Sequence, residues 1–287
     1  MNNSTIKAMS FNILWKDIEA TAANDPTVQI KNPVSNRMLQ INEILKGEKI
    51  DVAGLQEVSY KWRPHLVNLD SDYAYVGALT TDTQEGGYIL YNKNRLELLE
   101  DGMFWLAQGA PTEYAKPEGA DFDRICAWAI FRVRATGGVF VFMDTHVDYV
   151  GGKVHIEETT ALHEQTAVLK RLASEKYGAE DNCPLVLVGD MNMLDNSEGY
   201  KILTQNLRNA RECSIGKTIP ATHSSFRAYY YCKSMDDVPQ DSAVIDFIFV
   251  SDSITVNNFD MLYTTTNLCK YGEYISDHNV ITADISF

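Results

Sequence analysis

The chain has 287 residues, 45% hydrophobic and 22% charged, which is the composition of a folded globular protein with enough length to bury a large core. With 25 Lys+Arg against 39 Asp+Glu, the formal net charge of -14 repels polyanions at long range and lacks the basic footprint of a nucleic-acid binder. Long nucleic acid is therefore disfavoured as a substrate, although a local basic groove is compatible with that balance.

Taken in chain order, the apolar runs predict strands at residues 6–13, 52–55, 73–76, 88–91, 127–133, 139–144, 185–188, 243–250 and 280–285. Many lie too close together for intervening helices, so hairpins and largely antiparallel pairing are expected. Helix signals are clearest at residues 36–47 and 156–178. In the second, Leu162, Leu169 and Leu172 with Ala161, Val168 and Ala173 form one apolar stripe, and Gly178 is a natural stop. Pro and Gly are scattered and no linker or repeat is visible. The simplest architecture is α/β: a four-layered sandwich of two mostly antiparallel sheets packed face to face with helices outside, one domain over residues 1–287.

The five cysteines, Cys126, Cys183, Cys213, Cys232 and Cys269, are odd in number, widely spaced and without a CxxC pair, so reduced thiols are expected. The stretch MNNSTIKAMSF has no apolar leader core, and no run reaches membrane-spanning length. The expectation is a soluble, monomeric, cytoplasmic protein, or a secreted or periplasmic one if a leader was removed.

Several apolar runs end abruptly in polar groups. LVLVGDMNML is branched and apolar without alternation from Leu185 to Val188, the pattern of a strand covered on both faces, and then meets Asp190 and Asn192. If the backbone stays extended through Met191, these two side chains share a face; the competing reading is a plain Gly-Asp turn. Asn12 lies in MSFNI, Glu57 follows the short run in DVAGLQEV, and His146 and Asp148 end VFVFMDTHVD. Asp246 interrupts AVIDFIFVSD, and Asp277 and His278 precede the last strand in YISDHNVITADI. Asn12 and Glu57 could equally serve a turn or a solvated loop, and a lone His146 could be structural. His155 and His163, on or beside the second helix, read as structural. Asp246 is harder to dismiss, because an unpartnered buried carboxylate costs several kcal/mol. A convergent set of Asp, Glu and Asn oxygens suits a hard cation, Mg²⁺ or Mn²⁺, and the absence of a Cys cluster or HExxH argues against zinc.

SFNI, LQEV, DRICAW, THVD, GDMN, IDFIFV and SDHNVI occur in this order along nearly the whole chain, and as an ordered set they resemble the endonuclease/exonuclease/phosphatase superfamily of Mg²⁺-dependent phosphoesterases. THVD, the FWL at Gly102–Leu106, and Arg124 followed by Ala127-Trp128 look like its branch of deadenylases and small bacterial hydrolases. The chain departs from that branch where Tyr149 stands for the second His of THLDH and His163 for an Arg. ATHSSF, with Thr222, His223 and Ser225, replaces a TFHGF-like segment, and Gly87 replaces an Asn.

The resemblance implies Glu57 as the main metal ligand, with Asp277 and Asn12 nearby, and Asp190 as the group that orients or deprotonates the attacking water beside Asn192. It implies His278, held by Asp246, and His146 as stabilisers of the transferring phosphate, with Arg124 and His223 as substrate contacts. The expected activity is hydrolysis of a phosphodiester or phosphomonoester, on a small, lipid, sugar or nucleotide phosphate. The alternatives are a nuclease or deadenylase on single-stranded nucleic acid, or a non-catalytic binding module of the same fold. Tyr229 to Tyr231 and Trp62-Arg63 could stack on a base or sugar ring, or simply pack.

Overall fold

The computed structural model describes residues 4–80, 85–179, 182–217, 225–226, 229–239 and 244–287. Its first half contains β1 (Thr5–Asn12), β2 (Ile18–Ala22), β3 (Asp25–Asn32), α1 (Val34–Gly47), β4 (Val52–Val58), β5 (Tyr73–Leu79), β6 (Gly86–Asn92), β7 (Leu96–Trp105) and β8 (Ile125–Val133). There follow β9 (Val139–His146), α2 (Gly152–Tyr177), β10 (Leu185–Asp190), α3 (Glu198–Leu203), β11 (Arg208–Asn209), α4 (Ala210–Cys213), β12 (Gly216–Lys217), β13 (Asp246–Val250), β14 (Thr255–Leu262) and β15 (Val280–Ser286).

A 7-stranded sheet runs β12-β14-β15-β1-β4-β6-β5 and a 6-stranded sheet runs β11-β13-β10-β9-β8-β7. Pairing is antiparallel except for β1 with β4, β9 with β10, and β12 with β14. Side chains that alternate along the central strands divide between two apolar environments, which is why their sequences read as unbroken apolar runs. Ala8, Val52, Ile89, Phe131, Phe142, Val188 and Ile281 meet between the sheets. Met9, Phe11, Ala53 and Leu55 point the other way, onto Met38, Ile41 and Leu45 of α1. Val141, Met143, Leu185 and Leu187 likewise turn outward to Ala161, Leu162 and Leu169 of α2 and Leu203 of α3. The result is the helix, sheet, sheet, helix layering anticipated from the sequence.

All the strands read from the sequence are present, and α1 and α2 begin at Val34 and Gly152, earlier than their apolar stripes suggest. The expected strand at 243–250 is corrected: β13 starts at Asp246, so this carboxylate opens the strand rather than interrupting it. Cys126, Cys183 and Cys232 are buried, and all five thiols are free. No helix among the described residues is long and apolar enough to cross a membrane.

Candidate active site

The topology gathers the polar ends of the runs at one edge of the sandwich. Asn12 and Glu57 lie at the C-terminal ends of β1 and β4, which run parallel with Asn12 opposite Gln56. His146 and Asp190 end the parallel strands β9 and β10 and stand opposite one another. β13 runs antiparallel to β10, which sets Asp246, its first residue, against Asp190, the last of β10. β15 is antiparallel to β1, so the Asp277-His278 segment before it returns to the same edge. Close approach of β9 and β10 there requires Gly189: its φ is +157°, and a Cβ would sit 2.1 Å from the Thr145 carbonyl oxygen.

The extended backbone that would put Asp190 and Asn192 on one face is not what the chain adopts. β10 ends at Asp190, and Asn192 has φ +47°, in the left-handed region. The turn itself brings the two together, with the Asn192 backbone N–H donating to Asp190 Oδ1 at 3.0 Å. Asn192 Nδ2 then donates to the Val147 carbonyl at 2.9 Å and lies 3.0 Å from His146 Nε2. Glu57 is also left-handed, at φ +63°. Strained backbone of this kind persists only where surrounding contacts fix it.

Asp190 Oδ2 is the hub. It accepts from Asn12 Nδ2 at 3.0 Å and lies 3.5 Å from His146 Nε2 and 3.5 Å from His278 Nε2. His278 Nδ1 donates to Asp246 Oδ2 at 2.9 Å, and Phe226 places its ring 4.8 Å from the imidazole. Burial opposes charge on His278, but the Asp246 and Asp190 carboxylates outweigh it and push the imidazole up to about 10. Burial raises the Asp246 carboxyl in turn, and His278 pulls it back.

On the other side of Asp190, Asn12 Nδ2 also donates to Glu57 Oε1 at 3.0 Å, and the Trp15 backbone N–H donates to Glu57 Oε2 at 2.8 Å. Glu57 is raised by burial and by the nearby negative charge of Glu85 and Asp277. Ligand atoms of Glu57, Glu85 and His146 lie within 4.8 Å of one another, as do those of Asp190, Asp246 and His278. Asp277 lines the same cavity and accepts from Ser276 Oγ at 3.3 Å.

Arg124 is buried. Its Nη1 donates to Glu85 Oε1 and lies 3.0 Å from His146 Nδ1. Burial would raise Glu85, but His146 and Arg124 prevail and hold its carboxyl down at about 2. Glu85 is a site residue that the sequence did not single out, because it sits in a polar stretch with no apolar run to frame it. His223 lies outside the described residues. His155 donates from Nε2 to the Asp148 carbonyl, a structural role as expected. Trp62 is fully buried and donates to the Leu14 carbonyl at 2.9 Å, which makes it a packing group, while the partly buried Tyr229 and Tyr231 pack beside Leu14, Ile18 and Tyr274.

The donor set suits a hard divalent cation. The Glu57, Glu85 and His146 group and the Asp190, Asp246 and His278 group each offer carboxylate and imidazole atoms, and no thiolate, that could hold a metal ion.

No curated protein matches the chain in sequence. Among solved structures, an endonuclease/exonuclease/phosphatase family protein from Bacteroides thetaiotaomicron superposes with a TM-score of 0.78 at 22% identity, covering 100% of this chain and 96% of that one. A mannosyl-6-phosphatase from the same organism gives 0.76 at 22% identity over 98% and 100% of the two chains. The catalytic domain of human Nocturnin, solved with a bound sulfate anion, gives 0.68 at 19% identity over 99% and 94%. At these identities the likeness establishes the fold alone. The sequence profile of the Endonuclease/Exonuclease/phosphatase family, however, matches residues 9–278, a span that takes in every polar strand end described above. The chain therefore belongs to the Endonuclease/Exonuclease/phosphatase family, whose members generally depend on a divalent metal, and it is a phosphoric ester hydrolase.

Proposed function

We propose that the protein hydrolyses a small phosphoester with Mg²⁺, or Mn²⁺ in its place, by direct attack of water. The observation that carries this reading is the position of the Asp190 carboxylate, 3.5 Å from both His146 and His278 and hydrogen-bonded to Asn12 at 3.0 Å. A carboxylate between two imidazoles can hold a water and accept its proton while the rings face the phosphate oxygens.

Glu57, Asp277 and Asn12 would hold the cation, which when bound neutralises phosphate charge and stabilises the leaving oxygen. Asp190 orients the water and takes its proton. Asn192 donates an amide hydrogen to a phosphate oxygen, and Asp190 in turn fixes Asn192 through its backbone N–H. His278 stays protonated because Asp246 and Asp190 flank it, so it presents a charged donor to the phosphate. His146 faces the same space from the other side, and Arg124, once it exchanges Glu85 for substrate, offers a two-pronged donor.

A small substrate is favoured over a nucleic-acid strand. Among the described residues that line the cavity, Arg124 is the one Lys or Arg side chain, and it already pairs with Glu85. One guanidinium suits one phosphate, whereas a strand calls for a basic track.

The test is a panel of phosphomonoesters, phosphodiesters and a single-stranded oligonucleotide, assayed with Mg²⁺ and with EDTA, for the wild type and Glu57→Gln. Mg²⁺-dependent release of phosphate or alcohol from small esters, lost in Glu57→Gln, is the expected result. Preferential cleavage of the oligonucleotide would overturn the small-substrate reading.

A further inference from the structure

Aromatic rings stand exposed around the cavity, whose volume of about 550 Å³ lies in the usual range for small-molecule sites. Phe122 is 41% exposed and Tyr149 58% exposed, and their ring centroids lie 5.9 Å apart. The hydrolytic chemistry uses neither ring. Tyr149 also occupies the position where the resembling branch carries the second His of THLDH.

The chain invests buried polar groups in holding these rings. Asp148 is fully buried, yet its Oδ2 accepts the Phe122 backbone N–H at 2.7 Å and its Oδ1 accepts that of Val150 at 3.0 Å. Its own N–H donates to Glu158 Oε2 at 2.9 Å. One carboxylate thus ties the loop before β8 to the loop after β9. The Phe122 ring neighbours both the Tyr149 ring and the Arg124 guanidinium, whose central carbon is 5.0 Å from the ring centroid. A phosphate held by Arg124 would therefore carry its alcohol portion along the Phe122–Tyr149 wall. The Tyr149 hydroxyl donates to Asp121 Oδ2, which puts an exposed carboxylate at the rim.

We propose that this wall is the leaving-group subsite and that its occupant is a sugar ring, so that the substrate is a phosphorylated sugar; the inference rests on the phosphoester reading above. The C–H face of a pyranose is apolar and slightly positive, which complements the negative face of an aromatic ring. Its hydroxyls are donors, which a carboxylate such as Asp121 accepts. A nucleobase also stacks on aromatics but offers few donors to such a rim.

The experiment compares kcat/KM for glucose 6-phosphate, mannose 6-phosphate, adenosine 5′-monophosphate and the ringless glycerol 3-phosphate, with Mg²⁺. It uses the wild type, Tyr149→Ala and Phe122→Ala, whose retained fold is checked by circular dichroism. The wild type should prefer at least one hexose phosphate over both others, and each substitution should reduce the hexose-to-glycerol ratio by about tenfold, the scale of one aromatic contact. Hydrolysis without ring preference, a preference for the nucleotide, or ratios unmoved in both variants would overturn the inference. If no ester turns over, calorimetry with glucose 6-phosphate separates the two readings. Binding lost in Tyr149→Ala would support the wall while the hydrolytic reading fell, and no binding to the wild type would overturn both.

Discussion

His278 Nδ1 donates to Asp246 Oδ2 across 2.9 Å in a fully buried contact, and this pairing keeps the imidazole charged against the pull of burial, at about 10. The same burial raises Asp246, so each member is held in its charged form by the other.

Replacing Asp246 by Asn removes the largest attraction on His278 and leaves burial to oppose its charge. The alkaline limb of the pH profile of kcat should move down by more than about one pH unit, and kcat should fall by roughly 10²-fold. A stopped-assay pH series with saturating Mg²⁺ reads both. An unshifted limb would show that His278 does not act as a charged donor.

A second buried acid makes a stability prediction. Asp144 lies between the sheets, where burial pushes its carboxyl from 3.8 to about 8 although Gln56 Nε2 donates to it at 2.6 Å. Between those values the folded state keeps a proton that the unfolded chain has released, so stability falls as pH rises through the window, by up to about 1.4 kcal/mol per pH unit. Glu158, pushed up to about 8 in the same way, adds a like slope. Asp144→Asn mimics the neutral acid and should flatten the decline between about pH 6 and pH 8, by roughly one proton's worth. Urea midpoints at the two values measure it, and parallel curves for variant and wild type would contradict the assignment.

Gly189 tests the framework that sets the edge. A Cβ there would meet the backbone oxygen of Thr145 at 2.1 Å, and backbone cannot swing aside as a side chain can. Gly189→Ala should cost more than about 3 kcal/mol in urea unfolding, because β9 and β10 must part. His146 and Asp190, the last residues of those strands, would move with them, so activity should be lost in any remaining folded protein. A destabilisation under about 1 kcal/mol would show that the strands have slack at this point.

The layered fold was legible because central strands such as β9 and β10 are covered on both faces and open with unbroken apolar runs, Val139–Met143 and Leu185–Val188. The polar ends of those strands were legible for the same reason: Asp190, Asp246 and His146 stand out against apolar runs. What stayed hidden has the opposite background. β7, LELLEDGMFW, and β14, TVNNFDML, lie on partly solvated positions and mix polar with apolar residues without a clean period. Glu85 sits in a polar stretch, and Phe122 lies in a turn-rich loop where an aromatic has no expected partner. Asn192 was placed near Asp190 on the premise of an extended chain, whereas a left-handed turn does the work; single-residue backbone conformation is not encoded in hydrophobic period.

The central claim is that one carboxylate, Asp190, activates water for attack on a phosphoester. It is tested most directly by the Mg²⁺-dependent turnover of Asp190→Asn on the best small ester, with folding verified by its urea midpoint. The account predicts a loss of roughly 10³-fold in kcat with the fold intact, as expected when a positioned base is removed. Turnover within about threefold of the wild type would contradict it.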